Sequence, residues 1–139
     1  MIVFDTNVVS ELMRSEPSAV VVGWVRSRRA SELYTTPITL AEVGYGIERL
    51  PDGSRKQLLR AVAEEVFAGF EEQVLPFDVE AARRYVAIVS ERDRAGTPID
   101  GFDAQIAAIC RSHDAALATR NLKGFRGTGI EVLDPWRAD

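Results

Sequence analysis

Apolar residues fall into two rhythms along this chain: short unbroken runs, and longer stretches where they recur every third or fourth position. The run Ile2-Val3-Phe4 is continuous, partly β-branched and ends at Asp5, which predicts a short buried strand over residues 1–4. Leu33-Tyr34-Thr35-Thr36, closed by Pro37, predicts a second strand. Val74-Leu75-Pro76-Phe77 predicts a third, near an edge because proline has no N–H to give a ladder. Residues 116–119 and 130–133 predict two more. Helical spacing fills the intervals. It predicts helices from Asp5 or Thr6 to Met13, and from Pro17 in a first turn to Arg29, carrying Val20, Val21, Trp24 and Val25. Further helices run from Thr39 to Leu50, over 54–70 with Leu58, Leu59, Val62, Val66, Phe67 and Phe70, from Val79 to Arg94, and over 102–113. Strands alternating with helices predict an α/β three-layer sandwich, its central, mostly parallel sheet of four or five strands flanked by helices.

Length and composition narrow the class. With 139 residues the chain is long enough for one domain with a sizeable core and too short for two, so residues 1–139 are read as one domain. No apolar run is long enough for a membrane span, and the apolar start lacks a basic lead and contains Asp5, so neither membrane anchoring nor a signal peptide is expected. The single cysteine, Cys110, excludes an internal disulfide and fits a reducing cytoplasm. The net charge of −4 gives no global reason for nucleic-acid binding, although 17 Lys and Arg can still cluster locally.

Chain direction brings three distant acids together. In a parallel α/β sheet, the loops at the carboxyl ends of the strands build the site. Asp5 follows the first strand, and Glu42 is placed in the first turn of the helix after the second. Asp103 begins a helix that feeds the strand at 116–119 from its amino end, so the start of that helix lies at the carboxyl edge. The lengths agree, since about 11 helical residues rise roughly 16 Å, comparable with a strand of four or five residues. Thr119 and Asn121 emerge at the same edge and add neutral oxygens. Three carboxylates in one cleft repel one another unless a cation joins them, and hard oxygen donors without a His or Cys cluster favour Mg²⁺ or Mn²⁺.

Each acid also has a plain structural reading. Asp5 is a natural N-cap, Thr39-x-x-Glu42 fits a capping box, and Asp100 can cap the helix that holds Asp103. Asp103 is preferred to Asp100 for chemistry because Asp100 has the more usual capping position. Cys110 reads as a core residue, His113 as a solvated group near a helix end, and Trp24 and Trp136 as packing residues. Arg26, Arg28 and Arg29 read as a solvated face. Arg120, Lys123 and Arg126 follow the proposed edge and are candidates for holding RNA phosphates.

Four segments together resemble the PIN-domain family, particularly the VapC- and FitB-type toxins of bacterial type II toxin–antitoxin pairs. They are residues 2–7 (Ile-Val-Phe-Asp-Thr-Asn), 39–42 (Thr-Leu-Ala-Glu), 103–108 (Asp-Ala-Gln-Ile-Ala-Ala) and 119–121 (Thr-Arg-Asn), with Pro135-Trp136 resembling the FitB-type ending. The resemblance implies a PIN-like fold and an endoribonuclease that hydrolyses RNA with Mg²⁺ or Mn²⁺. Asp5, Glu42 and Asp103 match the family's principal metal-site acids, and Asn7 and Thr119 match accessory polar positions, beside Asn121 of the same motif. It also implies a cognate antitoxin and a homodimer or larger assembly. Gly124 stands where many members carry another acid, which argues against a fully formed second metal site. Two other classes compete. A haloacid-dehalogenase-like or receiver-type phosphotransfer domain also places an acid after its first strand, but Asn7 replaces the second Asp such phosphatases need. A catalytically weakened PIN-like binding protein would fit Gly124.

Overall fold

The computed structural model describes residues 1–137. Among these residues the central sheet has four strands: β1 (Ile2–Phe4), β2 (Leu33–Tyr34), β3 (Ala116–Ala118) and β4 (Val132–Leu133). Their order is β2-β1-β3-β4 and every pairing is parallel. Ile2 lies opposite Leu33 and Ala116, Phe4 opposite Ala118, and Leu117 opposite Val132. Both faces are covered, which is why the strands read as continuous apolar runs.

Six helices flank this sheet among the described residues: α1 (Thr6–Leu12), α2 (Ala19–Arg26), α3 (Pro37–Glu48), α4 (Ser54–Ala68), α5 (Val79–Arg94) and α6 (Gly101–His113). Strand alternation sorts the core. Val3 and Leu117 join Ala81 and Ile88 of α5 and Ile106, Ile109 and Cys110 of α6 on one face. Ile2, Phe4 and Ala118 join Val8, Val9, Trp24, Val43, Ile47 and Phe70 on the other. Phe4 meets Phe70 edge-on, with centroids 5.8 Å apart. The result is the three-layer sandwich expected from the alternating pattern.

Several boundaries differ from the sequence reading. The second helix starts after Pro17, because the Ser18 hydroxyl accepts from Val21 N–H and caps it, and it ends at Arg26. The third starts at Pro37 rather than Thr39. Thr36 is its N-cap, accepting from Thr39 N–H, and Pro37 takes the first helical position, where its missing N–H costs nothing. The Thr39–Glu42 capping box is therefore not formed, and Glu42 lies in the second turn. The segment 74–77 supplies only a parallel bridge from Val74 to Thr35, since the proline interrupts any longer ladder. The strands at 33–36, 116–119 and 130–133 are shorter than predicted, with Thr36 turned into the cap of α3 and Thr119 bonded to Asp5.

Candidate active site

Because all strands run parallel, their carboxyl ends share one edge, and the residues that follow them face each other there. Asp5 follows β1, and its backbone N–H is held by Ala118 O at 3.0 Å. Only 5% of Asp5 is exposed. Its Oδ1 accepts from Thr6 N–H at 2.8 Å, which is the helix-capping contact. Its Oδ2 accepts from the Thr119 hydroxyl at 2.7 Å. Thr119, fully buried just past β3, is the hub of this corner. Besides donating to Asp5, its oxygen accepts from Asn7 Nδ2 at 3.1 Å and from Asn121 N–H at 3.0 Å, so the hydroxyl is fully used. Asn7 Oδ1 in turn accepts from Arg120 N–H at 3.2 Å. The loop after β3 is thus tied to the loop after β1 by side-chain bonds spanning most of the sequence.

Glu42, one and a half turns into α3, reaches the same edge. Its Oε1 accepts from the Thr6 hydroxyl at 2.8 Å. Asp100 is the N-cap of α6, accepting from Phe102 and Asp103 N–H, and Asp103 sits half-buried in the first turn. The acids feel one another. Burial, followed by repulsion from Asp5, Asp100 and Glu42, pushes Asp103 up to about 6, against a smaller opposing effect of Arg92. Glu42 is raised by burial and by Asp5 and Asp100, with Thr6 opposing. Asp5 is raised by burial, against its bonds to Thr119 and Thr6.

Glu42 and Asp103 therefore each feel the charge of Asp5 at the carboxyl edge, where Asn7 and Thr119 are bonded to Asp5 and to each other. Asn121 faces the adjoining turn, where its Oδ1 accepts from Gly124 N–H at 3.1 Å. Its carboxamide lies directly over Gly124, such that a Cβ there would stand 2.3 Å from Asn121 Nδ2. All three basic residues at this rim, Arg120, Lys123 and Arg126, are exposed. The Arg120 guanidinium lies 5.0 Å from the centre of the Trp136 ring. Cys110 is buried in the core, where burial and nearby Asp5 push its thiol up, so it is an inert packing residue.

Among the described residues no three Asp, Glu, His or Cys side chains already stand as the ligands of one ion. The cleft is open rather than a closed cage. That geometry fits Mg²⁺, which retains several waters and is commonly held by one or two carboxylates. The all-oxygen donor set fits it too, and bound positive charge would offset the burial that raises all three acids and the repulsion that adds to it at Glu42 and Asp103.

One functional residue escaped the sequence reading. Arg92 is buried, and its guanidinium donates to three backbone carbonyls: Thr97 O, and Gly124 O and Arg126 O at 2.9 Å each. It joins the loop leading to α6 with the turn after β3, and both border the acids. A signal was present, because Arg92 continues the buried stripe Ala81, Tyr85, Ile88 at helical spacing.

The parallel sheet, its flanking helices and the acids at its carboxyl edge define a class of α/β protein. Residues 2–130 match the PIN domain family, and the chain belongs to it. Within that family it is of the VapC/FitB type. It is 36% identical over 137 residues to VapC ribonuclease Y4jK of Sinorhizobium fredii, covering 98% of each chain. It is also 36% identical over 140 residues to toxin FitB of Neisseria gonorrhoeae, covering 98% of this chain and 99% of that one. The crystal structure of FitAcB from Neisseria gonorrhoeae superposes with a TM-score of 0.92 at 34% identity, covering 99% of this chain and 100% of that one. Family membership displaces the phosphotransfer alternatives.

Proposed function

We propose that this chain is a metal-dependent endoribonuclease and the toxin of a type II toxin–antitoxin pair. The observation that carries the reading is the set of three carboxylates, all raised, at the carboxyl edge of a PIN fold. Asp5 and Asp103 would hold Mg²⁺ or Mn²⁺, with Glu42 completing the cluster as a ligand or by orienting water. When bound, the ion supplies charge stabilisation and an activated water for phosphodiester hydrolysis. The chain's own groups do the positioning. Thr119 and Thr6 N–H fix the two oxygens of Asp5, and the Thr6 hydroxyl fixes Glu42. Asn7 locks the first loop against the last. Lys123 and Arg126, exposed beside the cleft, are placed to meet RNA phosphates.

The test is RNA cleavage that stops on chelation and returns with Mg²⁺ or Mn²⁺. Thr119→Val, which keeps the shape and removes three hydrogen bonds, is expected to weaken Mg²⁺ binding by about 10–100-fold, as loss of an orienting partner does. Calorimetric titration reads this directly, and an affinity within about twofold of wild type would contradict the positioning role.

Relatives are named as toxins, and FitAcB is a complex, so a cognate antitoxin is part of the proposal. A groove of about 780 Å³ adjoins Thr6 and Glu42 and offers Leu12, Met13, Ile47 and Leu58, with Arg14 and Arg55, to such a partner. Self-association as a homodimer or larger assembly, in the cytoplasm, completes the reading, and sedimentation gives the solution mass. Among the described residues no helix is long and apolar enough to cross a membrane. A second reading, a PIN-like binding protein with weakened catalysis, is favoured by one observation: the Asn121 carboxamide covers Gly124, where many members carry an acid. Metal binding with no cleavage of any RNA would support it.

A further inference from the structure

Two arginines lie over tryptophan rings, and one of them, Arg120, stands in the loop after β3 that borders the acids. Arg120 N–H bonds Asn7, which bonds Thr119, and the Arg120 guanidinium lies 5.0 Å from the Trp136 ring centre. The turn bearing Trp136 (Pro135–Arg137) packs on α2. Trp24 of α2 carries the second stack, with Arg28 at 4.7 Å from its ring centre. Between α2 and that turn lies a groove of about 570 Å³, lined by Trp24, Arg28, Asp134 and Arg137 among others. Arg28 Nε is buried there without a hydrogen-bond partner, and among the described residues neither Arg28 nor Arg120 forms an ion pair. Arg137 only approaches Asp134, at 3.8 Å.

We propose that the Arg120–Trp136 and Arg28–Trp24 stacks form a track that carries the phosphate backbone of a single-stranded RNA away from the acid cleft. This rests on the nuclease reading above. A guanidinium over an indole is held in place by the ring, and the nitrogens that remain outside the packing can meet phosphate oxygens, which for Arg28 are the Nη atoms because its Nε is buried. Trp24 is buried and its ring serves to hold Arg28, so the track offers cations to the backbone rather than rings to the bases. Continuity with the cleft through Asn7 favours the substrate over a separate acidic protein. Net negative charge does not oppose it, because recognition here depends on a local group of unpaired cations.

The experiment measures binding of a fluorescein-labelled oligouridylate to the full chain by anisotropy, in EDTA so that no cleavage occurs, across a salt series. Arg28→Ala and Arg120→Ala are each expected to weaken binding about five- to tenfold and to lower the logarithmic salt slope by about 0.7. Arg83→Ala, on the outer face of α5, is expected to bind as wild type. Arg28→Lys keeps the charge and the packing on Trp24, so it tests the forked contact should Arg28→Ala melt early. It is expected to fall between wild type and Arg28→Ala. Wild-type affinity in both alanine variants overturns the track, while loss of cleavage in Asp103→Asn still upholds the nuclease. An absence of oligouridylate binding by the wild type overturns the track, while metal-restored RNA cleavage by the same protein still upholds the nuclease. Arginine-dependent binding of polyglutamate in preference to RNA assigns the surface to an acidic protein and also overturns the track.

Discussion

Asp103→Asn is expected to lose about a thousandfold or more in RNA cleavage and, in the same tube without metal, to melt later than wild type. The first half follows from the role given to Asp103 as a holder of the ion, because removing a group that acts only with the metal removes most of the chemistry. The second half follows from electrostatics. Asp103 is raised from 3.8 to about 6 by burial and by Asp5, Asp100 and Glu42. A carboxylate raised on folding binds its proton more tightly in the native state, so its ionisation subtracts stability. The penalty is complete above pH 6, shrinks as pH falls through the folded value, and is gone below about 4. A shift of about 2 units sets a ceiling near 3 kcal/mol, and half-burial reduces this by solvent screening to on the order of 1 kcal/mol. Melting temperature should therefore rise by roughly 3–5 °C at pH 7.5, with the gain vanishing near pH 4. Added Mg²⁺ stabilises the wild type by mass action and not the variant, which narrows or reverses the gap. Equal melting of the two proteins at every pH would show that the acids do not strain the fold. Asp5→Asn should lose cleavage to a similar extent.

Arg92→Met is the largest expected stability loss. Its side chain is buried and replaces water for three carbonyls on two separate loops. Methionine fills similar volume but leaves Thr97, Gly124 and Arg126 carbonyls without a donor. Each hydrogen bond to a charged group is worth about 1.5–3 kcal/mol, and the three are not additive, so a loss of about 3–5 kcal/mol is expected. That is roughly 10 °C in melting temperature. Hydrogen exchange should speed up at residues 97 and 123–128 first, because those loops lose their anchor. A fall under about 2 °C, with unchanged exchange, would mean that the loops hold without the guanidinium. Arg92→Lys keeps the charge that favours ionised Asp103 and should restore part of the stability, since one ammonium cannot span all three acceptors.

The contrast between Asp103 and Arg92 shows what the chain discloses before folding. Strands at 2–4 and 116–118 were legible because buried parallel strands are unbroken apolar runs. The meeting of Asp5, Glu42 and Asp103 was legible because strand direction alone fixes the carboxyl edge. The start of α3 was misread because Pro37 resembles a strand terminator as much as a first helical residue, and only the Thr36–Thr39 contact separates the two. Arg92 sits in an Arg-rich helix end, where charge normally means solvent, and only its place in the stripe with Ile88 reveals burial. Arg120 was assigned to phosphates from its position alone, whereas its stack on Trp136 depends on the C-terminal turn folding back beside α2.

The strand order carries a consequence for biosynthesis. β1 occupies an interior lane of the sheet, and its inner neighbour β3 lies far downstream in the chain, so it is translated long after β1. Asp5 cannot receive the Thr119 hydroxyl until then. A nascent polypeptide therefore carries Asp5 and Glu42 long before Asp103 and Thr119 are made, and the cleft assembles only once β3 docks beside β1.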